Sequence, residues 1–149
     1  MLTFINYLDI KRATIAILKD YHNQQFKMEN SKRTLKNIDN RLFGKTSNLD
    51  TEIVSGSRNN NTEDQWIAGI DRKMAEEYGY TQACNFINEF NIIWDQLTDE
   101  EQEILKMRYI EKDEGNGIEA IIEEYHICKS EAYSRSSLAL EKFSKLLFW

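Results

Sequence analysis

Three features of the sequence predict an all-α fold. The 149 residues contain no proline, the one residue that reliably breaks a helix interior. Apolar residues recur at three- and four-residue steps over most of the length, the period of one helix face. Polar, glycine-bearing stretches and a capping signal divide these runs. The predicted arrangement is a long N-terminal helical arm over 1–43, a polar linker or loop over 44–65, and a helical domain over 66–149. That domain holds a helix-turn-helix at about 118–147.

The arm comes first. From Phe4 to Leu42 the stripe runs through Tyr7, Leu8, Ile15, Leu18, Tyr21, Phe26, Met28, Leu35 and Ile38, with a break around Tyr21 to Gln25. This reads as one long helix or two in sequence. Its apolar side needs a partner, either the rest of the chain or a second copy, and it is too irregular for a strict heptad seam. The segment GKTSNLDTEIVSGSRNNNTEDQ, residues 44–65, has few apolar residues to bury. Its GKT is no phosphate-binding loop, because the earlier glycine of a Walker A motif is missing and position 39 is Asp.

Trp66, Ile67, Ile70, Met74 and Tyr78 then repeat as an amphipathic helix expected to end near Gly79. A further helix is expected from about Thr81 through Phe86, Ile87, Phe90, Ile93, Trp94 and Leu97. The tryptophans and phenylalanines fall on apolar faces and are expected in the core. LTDEEQEILKMRYI opens with Thr98 and carries Glu101 three residues later. That is a capping box, and Asp99, Glu100 and Glu101 also place negative charge at the positive end of the helix dipole. Leu97, Ile104, Leu105, Met107, Tyr109 and Ile110 should face neighbouring helices, and Glu111 to Gly117 reads as a solvated loop.

In the last segment, Ile118 to Glu124 forms a short helix presenting Ile118, Ile121 and Ile122. Tyr125, His126 and Ile127 form a turn, and a longer helix starts at Cys128 or Ser130 and reaches about Leu147. Ala132, Ser136, Ala139, Leu140, Phe143 and Leu147 share its inner face. Ser130, Glu131, Tyr133, Ser134 and Ser137 point outward, where such a motif reads base edges.

Composition excludes several classes. No stretch approaches the roughly 18 apolar residues of a membrane span, and the N-terminus lacks a small-residue cleavage site, so a soluble cytoplasmic protein is expected. Cys84 and Cys128 stand 44 positions apart without zinc spacing and read as buried reduced thiols. His22 and His126 have no nucleophile arranged by signature, and the acidic run at 99–103 serves the dipole, so neither an enzyme nor a cofactor or metal is expected. The net charge of −6 is uneven. Residues 1–45 hold nine Lys/Arg against four Asp/Glu, and residues 46–149 hold ten against 21. Phosphate contact by the basic arm is one reading of this, and an ordinary solvated helix surface is the other.

The run LTDEEQEILKMRYI, followed by GIEAIIEEYHICKSEAYSRSSLALEKFSKLL, resembles region 4 of sigma factors. It is more closely similar to the ArpU/RinA-type late transcriptional regulators of phages of low-GC Gram-positive bacteria. The likeness covers about residues 86–147 and is carried by the L-T-x-E-E start, the Arg-Tyr pair closing the next helix, and the Tyr-bearing final helix. His126 stands where that pattern has Gly, and Cys128 where it has a capping Ser, so Ser130 caps instead or the cap is weak. Residues 118–149 carry four basic against five acidic side chains. DNA affinity comes largely from neutralised phosphates, so one such segment should bind weakly unaided.

The resemblance implies a sequence-specific activator of phage late genes, a homodimer on double-stranded promoter DNA, with host RNA polymerase as a further partner. Lys129, Ser130, Tyr133, Ser134 and Ser137 are expected at bases or adjacent phosphates, with Arg135 anchoring the backbone. Two other readings remain beside it. One is a sigma-like module that binds RNA polymerase or another phage protein without reading DNA. The other is a small terminase-type DNA-packaging subunit, which a ring of many copies would favour.

Overall fold

The computed structural model describes residues 2–43, 61–111 and 114–149, all helix and short turns. Helix α1 spans Leu2–Phe43 and α2 spans Asn61–Trp94. Helix α3 covers Asp99–Leu105 and runs on as a π-helical stretch, Lys106–Ile110. Helix α4 covers Glu114–Tyr125 and α5 covers Lys129–Phe148. Among the described residues there is no strand, and no helix is long and apolar enough to cross a membrane.

Several expected boundaries move. The arm is one helix, since nothing between Tyr21 and Gln25 breaks it. The two helices expected on either side of Gly79 are a single α2. Gly79 keeps a negative φ, so no left-handed cap forms there, and a glycine inside a helix costs about 1 kcal/mol without ending it. The expected linker is shortened from its far end, because α2 begins at Asn61, with Glu63 and Asp64 in its first turn where they complement the dipole. The remainder of that linker, 44–60, lies outside the described residues, as do the side chains of Phe4, Tyr7 and Leu8. The loop expected over 111–117 is likewise shorter, since α4 starts at Glu114.

The chain forms two compact units, residues 1–23 with 86–149, and residues 24–85. Both long helices contribute to each, so the division does not fall at the polar segment. In the first unit Leu18, Phe90, Leu97, Leu105, Tyr109, Ala139, Leu140 and Phe143 form the main core. The Phe90 ring sits 4.4 Å from Tyr21, 5.3 Å from Trp94 and 5.5 Å from Phe143, within the range where offset and edge-on pairs add to apolar burial. A smaller cluster of Ile104, Ile118, Ile121 and Ala132 packs α3, α4 and α5 together.

Thr98 caps α3 as expected. Its hydroxyl accepts from the Glu101 amide at 3.3 Å, and the Glu101 carboxylate accepts from the Thr98 amide at 2.9 Å. Gln102 closes the preceding turn by donating to the Trp94 carbonyl at 2.7 Å, which also accepts from the Leu97 amide at 3.0 Å.

In the second unit α1 and α2 lie antiparallel. Leu42 packs over Gly69, and Asp39 pairs with Lys73 at 2.7 Å. Ser31, Ile38 and Ala83 are buried there.

Candidate nucleic-acid interface

Helices α4 and α5 are joined by three residues, His126 to Cys128. His126 takes φ 51°, the left-handed conformation that most side chains avoid and His tolerates better than most. Cys128 is the N-cap of α5 but makes no capping hydrogen bond. Its sulfur lies 3.2 Å from the Ser130 hydroxyl. That hydroxyl, followed by the Glu131 amide, lowers the thiol pKa. Both cysteines are free, but neither is buried as expected: Cys84 is half-buried and Cys128 exposed. The apolar signal around them belongs to their neighbours.

What holds α4 and α5 at this angle is visible on α3. The π-helical stretch closes with the Glu111 amide donating to the Lys106 carbonyl at 2.9 Å. One residue more per turn shifts the register, so that Tyr109 enters the main core while Arg108 faces α5. Arg108 donates to the buried Ser136 hydroxyl and lies 5.1 Å from the Tyr109 ring and 5.3 Å from the Tyr133 ring. Gly117 of α4 approaches this turn so closely that a Cβ there would stand 2.6 Å from the Arg108 Cα. Only glycine fits such an approach. The Tyr125 hydroxyl adds a hydrogen bond to Glu103 at 2.6 Å, and its burial, with that carboxylate, raises its pKa.

Lys129, Ser130, Tyr133, Ser134 and Ser137 are all exposed, and Ala132, Ser136, Ala139, Leu140 and Phe143 are buried on the adjoining side of α5. The first five therefore line one outer side along the first turns of the helix. Arg135 does not join them. Six residues from Lys129, it lies about 240° round the helix and is held by Glu131 at 2.9 Å and Glu100 at 2.8 Å. The Glu131 carboxylate, then Glu100, raises its pKa. Lys142 pairs with Glu101 at 2.8 Å and Lys145 with Glu141 at 2.9 Å. Lys129 is thus the one cation of residues 118–149 outside an ion pair among the described residues.

Arg108 is the residue that the sequence left without a role here. The Arg-Tyr pair was visible, but its reach to Ser136 and Tyr133, 28 and 25 positions on, depends on the π-helical register and has no local signal. The arrangement offers a polar, nearly neutral surface with an oriented aromatic ring and hydroxyl groups for hydrogen bonding. Among the described residues no cluster of His, Cys, Asp and Glu is arranged to hold a metal ion. Comparison with protein-family models, curated proteins and solved structures finds no match for this chain.

Proposed function

We propose that this chain is a sequence-specific DNA-binding activator of transcription, of the kind that the late phage regulators it resembles represent. In this reading α4, the turn and α5 act as a sigma-region-4-like helix-turn-helix on promoter DNA. The observation that carries the proposal is the outer row Lys129, Ser130, Tyr133, Ser134 and Ser137. It lies on the opening turns of a helix whose adjoining side is buried against α3 and α4. The N-terminal part of a recognition helix is the part that meets base edges in the major groove. Tyr133, supported by Arg108, and the three serines supply base-edge chemistry, and Lys129 supplies a phosphate contact. Arg135 reaches the backbone in this reading by exchanging its carboxylate partners for phosphate.

One observation favours a second reading. Three of the segment's four cations are already neutralised by carboxylates, which suits a sigma-like module docking on RNA polymerase or another protein. Enrichment of binding sites from a random duplex pool separates the two. A shared motif among the recovered sequences, altered by Tyr133→Ala or Ser134→Ala, supports DNA reading. No enrichment by folded protein, with retention on immobilised RNA polymerase, supports the second reading.

A further inference from the structure

Helix α2 carries a second apolar side that is exposed among the described residues of 24–85. Ile67 is 53% exposed, Met74 63% and Tyr78 68%, with Ile70 and Trp66 also exposed beside them. Steps of four place Trp66, Ile70, Met74 and Tyr78 in one stripe, with Ile67 at its edge. Ala83, nine residues beyond Met74, is half a turn round the helix and buried. The stripe therefore faces away from the side of α2 that packs on α1. Scattered exposed apolar residues need no explanation, but a contiguous patch over three turns marks a contact surface.

The charges around it name the occupant. Glu63 and Glu77 stand seven residues before and after Ile70, on the stripe's own side, and Asp71 flanks it. Over residues 61–85, α2 carries five acidic against two basic side chains, a net of −3. Over residues 24–43, α1 carries five basic against two acidic, a net of +3. The outer side of α1 has its own apolar knob, Phe26, 69% exposed. Arg33 follows seven residues on, on the same side, with Lys36 and Arg41 to either hand, all three exposed.

We infer that the stripe on α2 docks a second copy of this chain, through the basic outer side of the copy's α1, with Phe26 seated among Ile67, Ile70, Met74 and Tyr78. The seven-residue step from Phe26 to Arg33 matches that from Ile70 to Glu63 or Glu77, so a seated Phe26 sets Arg33 opposite a carboxylate. Because each surface lies on the side of its helix away from the other, the contact is head-to-tail. Such contacts build rings where the rotation closes and open arrays where it does not. A closed ring would favour the packaging-subunit reading over a dimeric regulator, and the contact stands or falls independently of DNA reading.

Two variants test it by sedimentation velocity, with circular dichroism as the check on folding, since both positions are exposed. Met74→Glu spoils the stripe and keeps the knob, and Phe26→Asp does the reverse. The expected result is association of the unmodified chain that weakens with salt, and loss of association in each variant alone. Mixing the two variants should restore a species of one copy of each, because one good contact remains. A chain that stays monomeric up to its solubility limit overturns the inference. So does association that survives Phe26→Asp, or a mixture that stays monomeric.

Discussion

The two compact units differ in how far they bury a core of large apolar side chains, although Ile92 and Leu138 of the first are exposed as well. In residues 1–23 with 86–149, Phe90, Leu105, Ile121 and Phe143 are all but fully covered. In residues 24–85, Phe26, Ile67, Met74 and Tyr78 are largely open. The first unit packs three whole helices against one end of each long helix, so the apolar faces of α3, α4 and α5 find neighbours within it. Among its described residues the second has two antiparallel helices, and each can cover one side of the other and no more. Apolar periodicity alone does not distinguish these cases, because it reports that a face wants covering and not what covers it.

The largest effect is expected in the first unit, where Phe143→Ala removes a fully buried ring from the main core and should cost about 3–5 kcal/mol in denaturant unfolding. Met74→Ser in the second unit should shift monomer stability by no more than about 0.5 kcal/mol. Equal losses would break the distinction. Gly117→Ala comes next, because its methyl group meets the Arg108 backbone. A loss of about 1–3 kcal/mol is expected, and a loss below about 0.5 kcal/mol would show that the π-helical turn gives way easily.

Smaller changes sharpen the local claims. Thr98→Ala removes the cap of α3 and should cost about 1 kcal/mol. His126→Gly relieves the left-handed turn and should raise the unfolding midpoint, by up to about 1 kcal/mol in stability. The smallest effect is in acid. Partial burial works to raise the Glu101 pKa, but Lys142 and the Thr98 amide outweigh it and hold it below its ordinary value of 4.5. A depressed carboxylate contributes stability that is present above 4.5 and is lost as pH falls through the folded-state value. Glu101→Gln should therefore flatten the acid limb of the stability curve, by less than about 1 kcal/mol for a pair this exposed. An unchanged limb would dissociate Glu101 from acid unfolding.

Much of the fold was legible because its signals are local. The capping box at Thr98, the inner face of α5, and the turn over Tyr125 to Ile127 each rest on residues within a few positions of one another. The boundaries that moved were set by packing. Gly79 lies inside α2 with the Lys27 side chain of α1 against it, and α4 starts at Glu114, ahead of Gly117, which meets the backbone of α3. Trp66 and Phe26 look like core residues in the sequence and are exposed, the described residues of their unit forming two helices and no third layer. On α5 the outward row was legible from period alone, whereas the capture of Arg135 by Glu100, 35 positions away, was not.

Binding of duplex DNA carrying an enriched site, measured by fluorescence anisotropy over a range of salt, tests the central claim that the outer side of α5 reads DNA. Each neutralised phosphate contributes about −0.9 to the slope of log affinity against log salt. With Lys129 the one unpaired cation of the segment among the described residues, the expected result is site-selective binding with a shallow slope, about −1 per bound copy from this surface. Lys129→Ala should remove that part of the slope, and Glu100→Gln with Glu131→Gln should steepen it by releasing Arg135. Absence of selective binding by the folded, associated protein, at low salt and with the released Arg135, would contradict the claim and assign this helix pair to protein partners.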